Sequence, residues 1–221
     1  MKTVAVVPVK LNNERVPGKN TKLLYDGTPL IHCILHALLE SQEVDEVYVY
    51  CSKKEITDYI LPGVQYLERE DIYDGADADI NAMHYSITQK VDADVYVLAH
   101  ATAPFLKAES IDAGIRAVKS GEYDSAISVN RLQDFIWKMG EPMNFDLRKI
   151  PRTQDLEPLF VETTGMYVFT KEAMEKFHSR TGEKPYMLEV SKIEAIDIDY
   201  PIDFGMANAL YEVIVSKGKE Y

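Results

Sequence analysis

Cysteine is scarce, with two in 221 residues. Cys33 and Cys51 lack both the clustered spacing of a zinc site and the density of a disulfide framework, so both read as buried free thiols without assigned chemistry. No apolar run approaches the ~20 residues of a membrane span. The run from Val4 to Pro8 is too short, and too soon followed by charge, to serve as a signal-peptide core. The expected location is the cytoplasm, away from membranes. Pro, Gly and Ser form no rich stretch and no repeat occurs, which excludes linker-dominated or disordered organisation. Basic residues are also short: 24 Lys and Arg face 36 Asp and Glu, a formal charge of −12. That balance argues against DNA or RNA as a partner, because such binding draws most of its affinity from a basic surface. Only residues 10–22 reverse the sign, with Lys10, Arg15, Lys19 and Lys22 against Glu14. A small polyanion remains possible there.

The chain has the length of one domain with a continuous core and an added arm. Thr3 to Val9 reads as a buried β-branched strand. Thr28 and Pro29 start a helix whose Leu30, Ile31, Ile34, Leu35, Leu38 and Leu39 fall at helical spacing. The alternation continues as strand 47–51, helix 53–61, strand 64–67, helix 77–89, strand 95–99, helix 109–120 and strand 125–129. It resumes with strand 166–170, helix 172–178, strand 194–199 and a last helix from Pro201 to about Lys217, ahead of Gly218. Such order predicts an α/β fold with a mostly parallel sheet flanked by helices. Residues 130–160 break the rhythm, mixing polar residues with Phe135, Trp137 and Phe145. A segment of that length needs a purpose, and a dimerisation arm or substrate lid is expected.

Ligands in such sheets bind beyond the carboxyl ends of the strands, so the loops after the first, fourth and last strands are expected to share a cleft. The first holds Lys10-Leu-Asn-Asn-Glu-Arg15-Val-Pro-Gly-Lys19-Asn20. It suits a triphosphate but is neither a Walker loop nor a dinucleotide fingerprint, because Gly18 stands alone. Near the end, Asp197 and Asp199 are spaced to point to one side of a strand, where two carboxylates and substrate phosphates can share a magnesium ion. Asp203, after Pro201, reads as an acid favouring the helix N-terminus. His32, His36, His84 and His178 read as helix-face or surface histidines.

The stretch Val-Pro-Val-Lys-x-x-x-Glu-Arg-Val-Pro-Gly-Lys-Asn resembles the N-terminal signature of the acylneuraminate cytidylyltransferase family. Further resemblances follow in order: Leu98-Ala-His-Ala-Thr-Ala-Pro104 to Leu-Gln-Pro-Thr-Ser-Pro, Pro151-Arg-Thr-Gln-Asp-Leu to Arg-Arg-Gln-Asp-Leu, Gly165-Met-Tyr167 to Asn-Gly-Ala-x-Tyr, and Asp197-Ile-Asp199-Tyr-Pro-x-Asp203 to Asp-x-Asp-x-Pro-x-Asp. The likeness spans nearly the whole chain. It implies a Rossmann-like nucleotidyltransferase domain over 1–221 that moves CMP from CTP to an acidic keto sugar, as a homodimer. Lys10, Arg15 and Lys19 would stabilise the triphosphate and leaving group, and Asp199 would join them as a catalytic residue. Asp197 and Asp199 would hold Mg2+. Asn12, Asn20, Arg69 and Ala78 would meet the nucleotide, and His100, Thr102, Arg152, Gln154 and Glu162 the sugar.

Three departures from the family pattern fall near the reacting groups. Lys10 replaces Arg, keeping charge but losing the fork. His100 replaces Gln and is expected to titrate near neutrality. Glu162 stands where some sialic-acid-activating members carry Arg, which leaves either Arg152 or Lys107 to take the sugar carboxylate, or a related nonulosonic or octulosonic acid or a less acidic sugar as the acceptor. Two rival functions are a nucleotide-sugar-dependent glycosyltransferase and a non-catalytic nucleotide-binding protein. The late position of the aspartate pair disfavours the first, and the combined presence of Arg15, Lys19, Asp197 and Asp199 disfavours the second.

Overall fold

The computed structural model describes residues 1–75 and 77–217. Gly218, expected to follow the last helix, lies outside them. Strand β1 (Thr3–Pro8) starts the sheet, followed by α1 (Leu30–Glu40), β2 (Glu46–Cys51), β3 (Val64–Glu68), α2 (Ile80–Lys90), β4 (Val95–Ala99), α3 (Ala108–Lys119) and β5 (Ser125–Leu132). A hairpin of β6 (Trp137–Lys138) and β7 (Glu141–Pro142) precedes β8 (Leu159–Thr170), α4 (Lys171–Phe177), β9 (Pro185–Glu189) and α5 (Pro201–Lys217). Seven strands lie in the order β3-β2-β1-β4-β8-β5-β9. All run parallel except β8, which is antiparallel to both β4 and β5.

Two apolar layers explain the strand composition. Ala5, Val7, Val47, Val49, Val95 and Val97 face α1 and α3 on one side of the sheet. Val4, Val6, Tyr96, Leu98, Tyr167 and Phe169 face α2 and α4 on the other. Strands buried on both faces need no polar alternation, which is why they read as continuous apolar runs.

Four expectations about elements need correction. Residues 54–59 form only a 3-10 turn with Ile56 as its single buried side chain, too little apolar surface to drive a full helix. Helix α2 begins at Ile80 because the Asp79 carboxylate accepts from the backbone N–H groups of Asn81 and Ala82, capping it. Strand β8 starts seven residues earlier than expected. The segment 194–199 is not a strand: β9 already fills the free edge of β5, and Ile196 to Asp199 crosses the carboxyl ends of the strands instead. The expected loop after the last strand is therefore the one that leaves β9.

Residues 130–160 are a projecting arm. Its base is the β5–β8 ladder, extended out to the Leu132–Leu159 pair. The β6–β7 hairpin turns at Met139 and Gly140, both with positive φ, as a two-residue hairpin turn requires. Phe145 packs against Phe135 at 4.7 Å and Trp137 at 5.4 Å between ring centroids, stiffening the tip.

Candidate active site

The loop leaving β1 is shaped by its own backbone. Val16 is buried, Gly18 adopts φ 63°, and Thr21 N–H donates to Gly18 C=O, so the chain folds back and presents Arg15 and Lys19 on one side. Asn20 is buried beneath it, and its amide donates to Lys10 C=O at 2.8 Å. In this conformation Asn20 holds the loop rather than presenting its amide to the cleft. Lys10 Nζ donates to the carbonyls of Asp74 and Gly75 at 3.0 and 3.1 Å, tying the loop to the segment after β3.

The crossing segment meets this loop. Ile198 is fully buried with Leu24, Leu30 and Phe204, and its N–H donates to Thr102 C=O at 3.0 Å. Lys19 Nζ donates to Ile198 C=O at 2.5 Å and lies 3.8 Å from Asp199 Oδ1, which Arg15 Nη1 approaches to 3.2 Å. The Asp203 carboxylate accepts from the N–H groups of Asp199 and Tyr200, so it serves the start of α5 as its position implied. Lys10, Asn12, Arg15, Lys19, Asp74 and Asp199 thus line an open cleft of about 380 Å³.

A bulge supplies the other wall. Between Ile127 and Val129 the β5–β8 register slips, and Ser128 Oγ takes up the slack by pairing with Thr163 Oγ1 at 2.7 Å and with the Met166 backbone. Thr164 is left at φ 56°, a left-handed conformation that a β-branched residue rarely adopts. From there Thr164 Oγ1 donates to Asp197 Oδ2 at 3.0 Å, and its carbonyl accepts from His100 Nδ1. Because a carbonyl only accepts, Nδ1 carries the proton and Nε2 is left as an acceptor. Burial lowers the His100 pKa against the opposing pull of that bond, and the Arg180 charge lowers it further. His100 is therefore neutral at pH 7, contrary to the expected titration near neutrality.

The remaining expected residues are more scattered. Arg69 is buried rather than at the surface, paired with Asp74 at 2.5 Å, and Ala78 lines a separate hollow after β3. Arg152 is exposed on the arm, forked onto Asp155 at 2.8 and 2.9 Å, and Gln154 lies beside it in a 3-10 turn. Lys107 lines a groove between α1, α3 and α5. Glu162 accepts from Tyr167 Oη at 2.8 Å. Thr164, Asp74 and Arg180 had no signal in the sequence, since each acts through a contact distant in the chain.

His84 lies on the buried face of α2, 1% exposed with Nδ1 unpartnered. Burial, then the Arg180 charge, pushes its pKa down to about 3. The unfolded chain binds this proton below about pH 6.5 while the folded chain refuses it, so stability is full above that pH and falls on acidification towards 3. Thermal or urea melts should show up to about 1.4 kcal/mol lost per pH unit from this residue. His84→Phe should flatten that slope, and an unchanged slope would mean that His84 is protonated in the native state.

Asp197 and Asp199 form an incomplete oxygen-donor set. Among the described residues no group of three or more His, Cys, Asp or Glu side chains is gathered to hold a metal. The two aspartates flank the buried Ile198, Asp199 beside Arg15 and Lys19 and Asp197 accepting from Thr164; such carboxylate oxygens fit magnesium, which takes few protein oxygens and completes its shell with phosphate and water.

A cytidylyltransferase family model matches residues 4–217. The CMP-N,N'-diacetyllegionaminic acid synthase of Legionella pneumophila is 30% identical, covering 96% of this chain and 97% of its own. The N-acylneuraminate cytidylyltransferase A of Danio rerio is 27% identical over 92% of this chain, which spans only 49% of that longer protein. Among solved structures, a CMP:2-keto-3-deoxy-manno-octonic acid synthetase complexed with CTP superposes with TM-score 0.70 at 14% identity, covering 96% of this chain and 98% of its own. A 4-diphosphocytidyl-2C-methyl-D-erythritol synthase from Anaerococcus prevotii gives 0.69 at 12% identity, with 96% of each chain covered. Those two likenesses establish the shared nucleotidyltransferase fold, and the family match over nearly the whole length places this chain in the cytidylyltransferase family.

Proposed function

We propose that the protein transfers CMP from CTP to the anomeric hydroxyl of an acidic keto sugar of the sialic or related nonulosonic class. The observation that carries this is the convergence of Arg15 and Lys19 on Asp199, with Asp197 two residues away, beyond the carboxyl ends of β1 and β4. The near-equal lengths of this chain and the Legionella synthase support the sugar class.

In the reaction the anomeric oxygen bonds to the α-phosphorus as the α–β phosphoanhydride bond breaks, and pyrophosphate leaves in line. Arg15 and Lys19 hold the β- and γ-phosphates and stabilise charge as it passes to the leaving group, while Lys10, braced by two carbonyls, keeps the loop open to them. His100 Nε2, an acceptor in the neutral ring, can take a hydrogen bond from a sugar hydroxyl. Asp197 and Asp199 would hold a magnesium ion, which when bound supplies positive charge at the α-phosphate and acidifies the attacking hydroxyl.

We place the enzyme in the cytoplasm, where CTP is made; among the described residues no helix is long and apolar enough to cross a membrane. The arm exposes Trp137 at 52% and Met139 at 98%, beside Leu147 and Ile150, a surface suited to a second copy of the chain. A dimeric mass by light scattering at micromolar concentration is expected, and a monomeric one would remove this part of the reading.

The deciding experiment is pyrophosphate release with magnesium, each of the four nucleoside triphosphates and a panel of acidic keto sugars. CTP-specific release is expected. Hydrolysis of a nucleotide sugar without pyrophosphate release would instead indicate a glycosyltransferase, and CTP binding with no turnover a binding protein.

A further inference from the structure

One cation near the bulge has no part in holding the triphosphate. Arg180 follows α4, in a loop pinned at several points. His178 closes the helix in the left-handed conformation, Gly182 N–H donates to Ser125 Oγ, and Glu183 and Lys184 N–H donate to the Asp124 carboxylate. A Cβ at Gly182 would lie 2.3 Å from Asp124 Oδ1, so the path of the loop requires glycine there. The loop therefore presents Arg180 in a defined place rather than leaving it to wander.

Its guanidinium lies over the Tyr167 ring, with Cζ 3.7 Å from the centroid. The ring and the Tyr167 hydroxyl together hold the group in place. The only carboxylate within 4.0 Å among the described residues is Glu162, at 3.9 Å, beyond hydrogen-bonding distance. That carboxylate already accepts from Tyr167 Oη at 2.8 Å. The Arg180 side chain remains 27% exposed, so its fork is ordered, charged, solvent-accessible and weakly matched.

Its neighbours give the location meaning. His100 stands edge-on to the same Tyr167 ring, 6.2 Å between centroids, and leads through Thr164 to Asp197. The Arg180 charge acts on both His84 and His100, and with burial it holds both imidazoles below their ordinary pKa, so neither adds a positive charge beside it. Lys10, Arg15 and Lys19 line the cleft with Asp199, and Arg180 is not among the residues that line it. Of the two cations expected from sequence for an acidic acceptor, Arg152 has committed its fork to Asp155 on the arm, and Lys107 lines a different groove.

We propose that Arg180 receives the carboxylate of the acceptor sugar and is the residue that makes the enzyme select acids. The assignment rests on the transferase reading above. A planar fork on an aromatic platform matches a carboxylate with two parallel hydrogen bonds, and Glu162 gives way because its own contact is long.

Wild-type enzyme is first assayed with CTP and N-acetylneuraminic, N,N'-diacetyllegionaminic and 3-deoxy-manno-octulosonic acids, to find the acid that is turned over. Arg180→Ala and Arg180→Lys are then compared on that acid and on its methyl ester. The KM for the acid should rise roughly 10- to 100-fold in Arg180→Ala and less in Arg180→Lys, with the KM for CTP unchanged. The ester should be handled alike by wild type and variants. If Arg180→Ala does not fold, Arg180→Lys carries the test, since it keeps the stem and charge and loses the fork. An unchanged KM for the acid in a folded variant overturns the proposal and leaves the transferase reading standing. Failure of the wild type on every acid overturns that reading, and this one with it.

Discussion

Asp199→Asn is expected to lower CTP-dependent pyrophosphate release roughly 100-fold or more while leaving the fold intact. The amide keeps the shape of the side chain and removes only its charge. In the free protein that charge does little for stability, because Asp199 is 51% exposed and its contacts to Arg15 and Lys19 are 3.2 and 3.8 Å. Exposed pairs of that kind contribute about 0–1 kcal/mol. In the proposed reaction the same charge would be in demand twice, as one of two carboxylates for the metal and as the group that aligns both cations ahead of the triphosphate. Melting curves and initial rates measured together separate the two effects. Near-wild-type activity in the variant would place the reacting phosphates elsewhere.

Arg69→Met is expected to cost about 3–5 kcal/mol of stability, a fall in Tm of roughly 6–20 °C. Arg69 is 1% exposed on its side chain and pairs with Asp74 at 2.5 Å. Burial tends to raise the Asp74 pKa, but hydrogen bonds from Ser52 and Arg69 outweigh it and hold the carboxyl below its usual value. Without Arg69 the Asp74 carboxylate keeps one strong partner, Ser52 Oγ at 2.6 Å, and must be hydrated or protonated. The loss should reach the cleft as well, since the Asp74 carbonyl anchors Lys10. Arg69→Met with Asp74→Asn should recover part of the stability, because the second change removes the uncompensated charge. If the single variant melts like wild type, the pair is not sustaining the segment after β3.

The parts of this molecule that were legible in its sequence are those whose physics is local. Val4, Val6 and Val7 make a strand wherever they stand in a buried sheet, and Leu30 to Leu38 mark a helix face by spacing alone. The Arg15 to Lys19 loop and the aspartate pair were likewise visible as chemistry, and the structure brings them together. Period-two alternation misled at Ile196 to Asp199: Ile198 is buried and the aspartates are not, as in a strand, yet the edge of β5 was already taken by β9. The strand that took that edge begins at a proline and buries only Leu188, so it carried almost no signal. Thr164 and Arg180 depend on a register slip and a ring that lie elsewhere in the chain, and no window of residues around either reports them.

The reversed strand β8 also divides the molecule in a way that matters for its descent. On one side of it, the loops after β1 and β3 carry Lys10, Arg15, Lys19 and Arg69, joined there by Asp199 from the segment that leaves β9; on the other, β5 and the loop after α4 carry Arg180 and its supports. The β4–β8 ladder joins the two parts, with α3 packed across both and a relay from His100 through Thr164 to Asp197 at the carboxyl ends of the strands. Substitutions in the loop after α4 leave the cradle for the triphosphate untouched. If Arg180 takes the acceptor's carboxylate, the loop after α4 and the phosphate-facing loop after β1 are separate stretches of sequence, so recognition of acceptor and of donor can change independently.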